Sequence, residues 1–145
     1  MTPYEIHKDG YLISTDKSKI NVDAIHLFLS ERSYWALERT RETVVTSIEN
    51  SLCFGVYTED GSQAGFARAV TDYATFAWIC DVFILESYRG RGLSKWLVET
   101  IVECPQLNGV RQMLLATRDA HELYREYGGF VPLFGPEGWM ERMNE

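Results

Sequence analysis

The feature that most constrains the fold is a buried-strand pattern that leads through two glycines directly into a helix pattern. Residues 75–85, TFAWICDVFIL, are almost continuously apolar and carry one charge, Asp81. Such a run is typical of a strand inside a sheet that is covered on both faces. Residues 93–104 then repeat apolar side chains at helical spacing, and Pro105 follows where that helix must end. The chain therefore combines a sheet with at least one helix packed against it.

The segments before this run predict a strand followed by two helices. Residues 11–16 alternate enough for a first strand. Residues 22–31 and 37–50 place apolar side chains at helical spacings, and Asn21 is available to cap the first helix.

A hairpin signal comes next. Two β-rich runs within residues 51–73 flank Asp60–Gly61, a dipeptide that favours a tight turn between antiparallel strands. Residues 111–117 predict another buried strand beyond the glycine-bearing loop. The order indicates an antiparallel front half and a strand–helix–strand crossover in the back half.

The end of the chain predicts one more helix and a last strand. Residues 119–129 have a helix pattern, with Asp119 as the expected N-cap, Glu122 completing a capping box and glycines closing the helix. The stretches FVPLF and WMERMN are each candidates for a final strand.

Length and charge limit the classes of function. The 145 residues fit a single domain, 1–145, and 46% hydrophobic with 24% charged residues is an ordinary globular composition. No window approaches the roughly 18 apolar residues of a membrane span, and the N-terminus lacks a signal-peptide pattern, so we expect a cytoplasmic protein that binds no membrane. A net charge of −7 disfavours nucleic acid as a partner and favours approach of a cationic small molecule.

The cysteines and histidines give no metal pattern. Cys53, Cys80 and Cys104 have apolar neighbours and no C-x-x-C spacing, so we interpret them as reduced core residues. The three histidines are scattered singly. We expect no metal.

The loop between the buried strand and its helix is basic despite the acidic chain. A helix that starts directly after a loop presents unpaired N–H groups and the positive end of its dipole, which together attract anions. Gly90 and Gly92 would let a phosphate approach closely, while Arg89, Arg91 and Lys95 add positive charge. The alternative is a tight turn with solvated arginines, which two glycines alone would favour. The spacing fits neither the P-loop pattern nor the G-x-G-x-x-G dinucleotide fingerprint.

The loop does resemble the [QR]-x-x-G-x-[GA] pattern of the GNAT superfamily of acetyl-CoA-dependent N-acetyltransferases. The matching positions are Arg89, Gly90, Arg91, Gly92, Leu93 and Ser94, where the small Ser94 replaces the usual Gly or Ala. DVFILESYRGRGLSKWLV also resembles the family's fourth strand, loop and third helix, and ATRDAHELYREYGGF resembles its fifth strand and following helix. Two positions depart from the family pattern: Thr117 stands where Asn is usual, and Gly129 is inserted before Phe130.

The resemblance implies a fold and an activity. The fold is a single GNAT-like α/β (α+β) domain, with a mixed, mostly antiparallel central sheet of six to seven strands, about four flanking helices, and splayed fourth and fifth strands. The activity is transfer of an acetyl group directly from acetyl-CoA to a primary amine of a small molecule or peptide. A homodimer is common among such proteins. A catalytically weak or inactive CoA-binding regulatory domain is the alternative.

The resemblance also implies roles for particular residues. A bulge in the family's fourth strand brings a main-chain N–H to the thioester oxygen, and the matching segment is Val82, Phe83 and Ile84. The loop residues through Lys95 would hold the pyrophosphate, with a pantetheine contact at Thr117. Tyr124 matches the general acid that protonates the CoA thiolate, although a core aromatic would give the same pattern.

Two features leave alternatives open on the acceptor side. Asp81 either accepts the amine's proton, holds a cationic substrate by charge, or pairs with an arginine such as Arg68 or Arg118. Tyr34 and Trp35 lie between the first two helices, where this fold places the acceptor pocket, and are either substrate-binding walls or core anchors. Several arginines lie nearby in the sequence, so an acceptor that carries a carboxylate is a further alternative.

Overall fold

The structure is a computed structural model that describes residues 2–144. Six strands form one sheet in the order in which they occur along the chain, β1-β2-β3-β4-β5-β6. In chain order the elements are β1 (Glu5–Lys8), β2 (Tyr11–Ser14), α1 (Val22–Glu31), α2 (Arg41–Glu49), β3 (Leu52–Tyr57), β4 (Gln63–Thr71), β5 (Phe76–Ile84), α3 (Leu93–Glu103), β6 (Gln112–Leu114) and α4 (His121–Gly128).

The sheet is mixed and mostly antiparallel. Each neighbour from β1 to β5 pairs antiparallel with the next, whereas β6 is parallel to β5 and is reached through the crossover helix α3. This arrangement confirms the predicted architecture, including the strand–helix–strand crossover. The strands that the family counts as fourth and fifth are β5 and β6 here, because the chain begins with a two-stranded hairpin.

Helices cover both faces of the sheet. On one face α1 and α2 bury Ile25 and Val44 against Phe66 and Phe83. On the other face, the apolar stripe of α3 packs on residues of the opposite pleat, such as Phe54 and Ile79, and α4 packs against α3. Strand β3 is therefore buried on both sides, and so is the first half of β4. In β5 buried residues alternate with half-buried ones as far as Phe83, so the apolar run over residues 75–85 predicted more burial than this strand has.

The caps of the first two helices set where they start. Asn21 accepts a hydrogen bond from the main-chain N–H of Ala24 at 3.1 Å, which confirms the predicted cap of α1. Helix α2 begins four residues later than the predicted start at residue 37, because Thr40 caps it and Glu38 is in the left-handed region with φ 63°. The segment between the helices is thus a loop.

A first strand that the sequence patterns did not predict, β1, pairs with β2. The two strands are joined by Asp9 and Gly10, both with positive φ, at 51° and 84°. An Asp-Gly turn of this kind is a hairpin signal. It was missed because β1 is short and mostly exposed, so its apolar alternation is weak. The other hairpin, predicted at Asp60–Gly61, is confirmed as the β3–β4 connection.

The late elements are shorter than predicted. Helix α4 starts at His121, and neither part of the predicted capping box is present: its N-cap is Ala120, without a side-chain hydrogen bond, and Glu122 pairs with Arg125 instead. The predicted last strands are wrong, since residues 130–144 contain no strand. Pro132 and Pro136 lack the N–H that a sheet ladder needs, and the segment includes a 3-10 turn at Pro136–Gly138.

Candidate active site

A β-bulge interrupts β5 in the middle of its pairing with β4. Phe66 is opposite Phe83 and Arg68 is opposite Cys80, so two residues of β5, Asp81 and Val82, face a single residue of β4. Asp81 has a φ of 52°, a left-handed conformation that is strained for a side-chain-bearing residue. The bulge lies at the start of the predicted segment Val82–Ile84.

The strands β5 and β6 separate next to this bulge. Their parallel pairing ends at Trp78 and Leu114, whereas β5 continues to Ile84. The gap confirms the predicted splay and opens into a cavity of about 460 Å³. The residues around it are Tyr34, Trp35, Arg39, Arg68, Trp78, Ile79, Cys80, Asp81, Val82, Ala116, Thr117, Arg118, Asp119, Ala120 and Tyr124.

The carboxylate of Asp81 is buried in an ionic cluster on the wall of this cavity. Its side chain is 1% exposed. Oδ2 accepts hydrogen bonds from Arg39 Nη1 at 2.8 Å and from Arg68 Nε at 3.0 Å, while Oδ1 accepts one from Trp35 Nε1 at 2.9 Å. Of the two partners proposed from the sequence, Arg68 is confirmed, whereas Arg118 borders the same cavity but pairs with Asp119 instead. The geometry favours the paired carboxylate among the alternatives for Asp81.

Tyr124 faces the same cavity from α4. It is 9% exposed, and its ring packs edge-on against Phe130 at a centroid distance of 6.0 Å. Among the residues that the structure describes, none is hydrogen-bonded to its hydroxyl. Burial, with Tyr34 and Asp119 nearby, raises the pKa of Tyr124 to about 12. The phenol is therefore protonated throughout the physiological pH range and can act as a donor.

The glycine-bearing loop has the open geometry of an anion site. Gly90 and Gly92 have φ of 81° and 77°, and a Cβ at either position would meet no atom within 4 Å. Gly92 is the N-cap of α3 and provides no side-chain cap. Within residues 2–144, no protein oxygen accepts a hydrogen bond from the main-chain N–H groups of 90–94. Gly90, Gly92, Leu93 and Ser94, together with Tyr88, border a cavity of about 330 Å³.

The basic side chains of the loop have different positions. Arg89 folds back and donates from Nε to the carbonyl of Ile84 at 3.0 Å, so it holds the loop against the end of β5. Arg91 donates to the Tyr11 hydroxyl at 2.6 Å, and Lys95 lies 5.4 Å from the centre of the Tyr127 ring. Both border a second cavity beside the loop.

Other predicted site residues are divided between cavity and core. The ring of Phe83 stacks on Phe28 at 4.0 Å, and Leu93, the first residue of α3, is buried in the core cluster, so both side chains are core. Val82 lines the splayed gap, whereas Ile84 borders the loop cavity. Thr117 also lines the gap, and its Oγ1 accepts a hydrogen bond from the main-chain N–H of Ala120 at 3.1 Å, where α4 begins.

The two aromatics between α1 and α2 form the far wall. Tyr34 and Trp35 contact each other edge to face at 5.1 Å and remain 42% and 39% exposed. Tyr34 also contacts Arg118, whose guanidinium lies 3.9 Å from the centre of the ring. Both aromatics line the cavity, and Trp35 also anchors Asp81 through its indole N–H. Of the two alternatives, Trp35 thus has features of both, and substrate binding by either residue stays a prediction.

The cysteine beside the cavity is a poor nucleophile. All three cysteines are free, and Cys80 lines the gap. Burial raises the pKa of Cys80 to about 11, so the thiol form predominates at neutral pH.

The sequence did not indicate that Arg39 and Trp35 are partners of Asp81. Arg39 shows why. It is 42 positions from Asp81 along the chain, and no local spacing relates the two. The only available signal was general: a lone carboxylate inside an apolar strand requires a cationic partner.

Comparison with known proteins identifies the family. The model of the acetyltransferase (GNAT) family matches residues 19–130, which include the bulge, the loop and α4. The chain belongs to the GNAT acetyltransferase family. A curated protein of Gibberella zeae is named as a putative acetyltransferase. It is 29% identical over an alignment 155 positions long, which covers 88% of each chain.

Solved structures of GNAT proteins share the fold. One from Xanthomonas campestris, described as belonging to the GNAT family, is 43% identical with a TM-score of 0.89 and covers 95% of this chain and 96% of its own. A GNAT family protein from Streptococcus pneumoniae is 22% identical with a TM-score of 0.65, covering 92% and 98% of the two chains. Within residues 2–144 there is no helix long and apolar enough to cross a membrane, and no cluster of three or more side chains suited to a metal.

Proposed function

We propose that this GNAT protein transfers the acetyl group of acetyl-CoA directly to a primary amine of a small molecule or peptide. The observation that carries the proposal is the row of unpaired main-chain N–H groups of 90–94 at the start of α3. This row follows directly from the strand whose bulge opens the cavity beside Tyr124.

The residues of the loop fit a diphosphate. Two glycines in left-handed conformation leave the space in front of the N–H groups open, and the dipole of α3 adds positive potential there. Arg91 and Lys95 lie on the adjoining surface and add two positive charges. In this proposal the splayed gap between β5 and β6 holds the pantetheine arm.

The chemistry assigns a role to two groups at the gap. Acetyl-CoA supplies an activated acyl group as a thioester. A C–N bond to the amine forms and the C–S bond breaks, while the nitrogen loses one proton to solvent, the sulfur gains one from Tyr124, and solvent returns a proton to the phenolate. The main chain of the bulge at Val82 polarises the carbonyl oxygen, and Tyr124 donates a proton to the departing sulfur.

The state of Cys80 favours direct transfer. An enzyme that carries the acetyl group on a cysteine needs a thiolate, whereas burial holds the pKa of Cys80 near 11. The amine is then the group that attacks the thioester. Both oxygens of Asp81 already accept hydrogen bonds from protein groups. A role for Asp81 as acceptor of the amine's proton stays a prediction.

Two measurements test the proposal. Thermal unfolding with and without CoA tests binding: a ligand at 100 times its Kd stabilises by about 2.7 kcal/mol, which shifts the Tm by several degrees. Release of free thiol from acetyl-CoA with a panel of primary amines tests transfer. A Tm that CoA leaves unchanged would rule out the proposal. A CoA-dependent shift without thiol release on any amine would favour the inactive CoA-binding alternative.

A further inference from the structure

The cluster around Asp81 carries more positive than negative charge. Two guanidinium groups, Arg39 and Arg68, share one carboxylate oxygen. Within the described part of the chain, neither arginine has a second carboxylate partner. A surplus positive charge at a largely buried site is costly unless an anion accompanies it.

The arginines also keep donors that the protein does not use. A guanidinium has five N–H donors. Arg39 uses Nη1 for Asp81, and its side chain is 23% exposed at the cavity wall. Arg68 is more deeply buried and is further committed to Ser51 through Nη1 at 3.0 Å. Arg39 is therefore the member of the cluster that a molecule in the cavity can reach.

A third arginine lies on the same cavity. The guanidinium of Arg118 is held over the ring of Tyr34, and its ion pair with Asp119 is long, at 3.9 Å, between two side chains that are both about two-thirds exposed. Such an exposed pair contributes little and leaves the guanidinium available. The charged residues around the cavity are thus three arginines and two aspartates.

We infer that the acceptor is an amine that also carries a carboxylate, with the carboxylate bound by Arg39 and Arg118. This inference rests on the proposed acetyl transfer, because it names the class of amine. Guanidinium groups bind carboxylates through paired, charge-assisted hydrogen bonds. A polyamine, by contrast, would meet three arginines and one exposed carboxylate, Asp119, because Asp81 is already paired with two guanidinium groups. The aromatic walls Tyr34 and Trp35 border the remainder of the acceptor.

Matched acceptors test the inference. The twenty free amino acids, their primary amides and the corresponding decarboxylated amines are compared by thiol release from acetyl-CoA. For the best acceptors we expect kcat/KM to be about 10- to 100-fold higher for the carboxylate than for its amide, the range expected for a charge-assisted pair. Amides or decarboxylated amines that react as fast as the acids would overturn the inference and leave acetyl transfer intact.

Variants locate the carboxylate site. Arg118→Gln replaces an exposed side chain and should lower the preference for acid over amide, with a fall in Tm of only a few degrees from the lost contact with the Tyr34 ring. Arg39→Gln should also lower this preference, with a larger loss of stability because Asp81 keeps only one guanidinium partner. Arg41→Gln is the control, because Arg41 pairs with Asp23 at the surface, away from the cavity. An acid preference that persists in both cavity variants contradicts the assignment.

Calorimetry separates this inference from the proposed function. CoA-saturated protein is titrated with N-acetylated amino acids and with the amides of the same compounds. If no amine is acetylated, the proposed function fails, but at least tenfold tighter binding of the acids than of the amides would still support the anion site. Equal binding of the two series, or no binding of either, would overturn it.

Discussion

The main-chain N–H of Arg118 donates a hydrogen bond of 2.9 Å to the Tyr34 hydroxyl, while the Arg118 guanidinium lies 3.9 Å from the centre of the same ring. The two residues are 84 positions apart, so the pair joins the loop between α1 and α2 to the loop that leads into α4. Both loops border the cavity. The pair therefore holds the two loops together beside the proposed acceptor site.

Replacing Tyr34 should affect the acceptor more than the CoA side. Tyr34→Phe removes the hydroxyl that accepts the Arg118 N–H, and Tyr34→Ala also removes the ring under the guanidinium. Each contact is worth about 1 kcal/mol, so we expect the acceptor KM to rise about 5-fold and about 30-fold, respectively. The KM for acetyl-CoA should stay constant in steady-state assays. Equal increases in both KM values would instead indicate a general structural defect.

Tyr124→Phe should lower kcat by about 10²- to 10³-fold and leave CoA binding unchanged, because the hydroxyl makes no hydrogen bond within the described residues and acts only as a proton donor. Tyr127→Phe is the matched control on the same helix, one turn away, where the ring lies near Lys95. Full activity of Tyr124→Phe would remove the phenol from the chemistry.

The pH dependence follows from the raised pKa of Tyr124. With a folded-state pKa of about 12, the phenol stays protonated well above its ordinary value of 10. The wild-type kcat should therefore show no loss from Tyr124 ionisation between pH 8 and about pH 10.5. A decline in that range that disappears in Tyr124→Phe would contradict the buried environment.

Gly92→Ala should weaken CoA binding about tenfold. A Cβ at φ 77° costs about 1 to 2 kcal/mol, and relief of that strain displaces the N–H groups at the start of α3. Gly61→Ala is a matched control: its φ is 87° and its surroundings are equally open, but it lies in the β3–β4 turn. Both variants should lose similar stability, and calorimetry should find weaker CoA binding only for Gly92→Ala.

Asp81→Asn should destabilise the protein strongly. It removes the only carboxylate paired with Arg39 and Arg68 within the described residues, and breaking a buried ion pair costs about 3 to 5 kcal/mol. We expect the Tm to fall by roughly 10 °C. Asp23→Asn, which breaks the exposed pair with Arg41, should leave the Tm nearly unchanged. If Asp81 also receives the amine's proton, the Asp81→Asn variant should lose activity mainly at pH values below the pKa of the acceptor amine.

Alkaline pH should destabilise the fold through Cys53. Burial raises its pKa from 9.0 to about 11, so the folded state holds this proton more tightly than the unfolded chain does. The stability that this difference provides is present below pH 9 and is lost as the pH rises from 9 to 11, at up to about 1.4 kcal/mol per pH unit. The free energy of unfolding is measured with denaturant at each pH in this range. It should fall less steeply with rising pH for Cys53→Ser than for the wild type.

The parts that the sequence predicted are those with a local physical cause. The Asn21 cap, the Asp60–Gly61 turn and the continuous run in β5 each specify their structure within a few residues. The conformation of the glycine loop could also be predicted locally, because positive φ and close ligand approach both favour glycine.

The parts that were missed depend on distant partners. The cap expected at Asp119 did not form, and Asp119 instead pairs with Arg118 at the cavity rim. Arg39 in the α1–α2 loop and Asp81 in β5 are 42 positions apart along the chain, so their pairing follows from tertiary packing alone. The expected final strands failed because proline outweighed the β-forming residues around it.

Asp81 combines two duties that are usually separate. Its left-handed backbone bends β5 away from β6, and its side chain is fastened by three donors, two of them from the loop between α1 and α2. Exchanging Arg39 to admit a different amine would also remove one of the three donors that hold Asp81 in this conformation. A variant designed for a different acceptor amine therefore needs Arg39 and Asp81 to be replaced together.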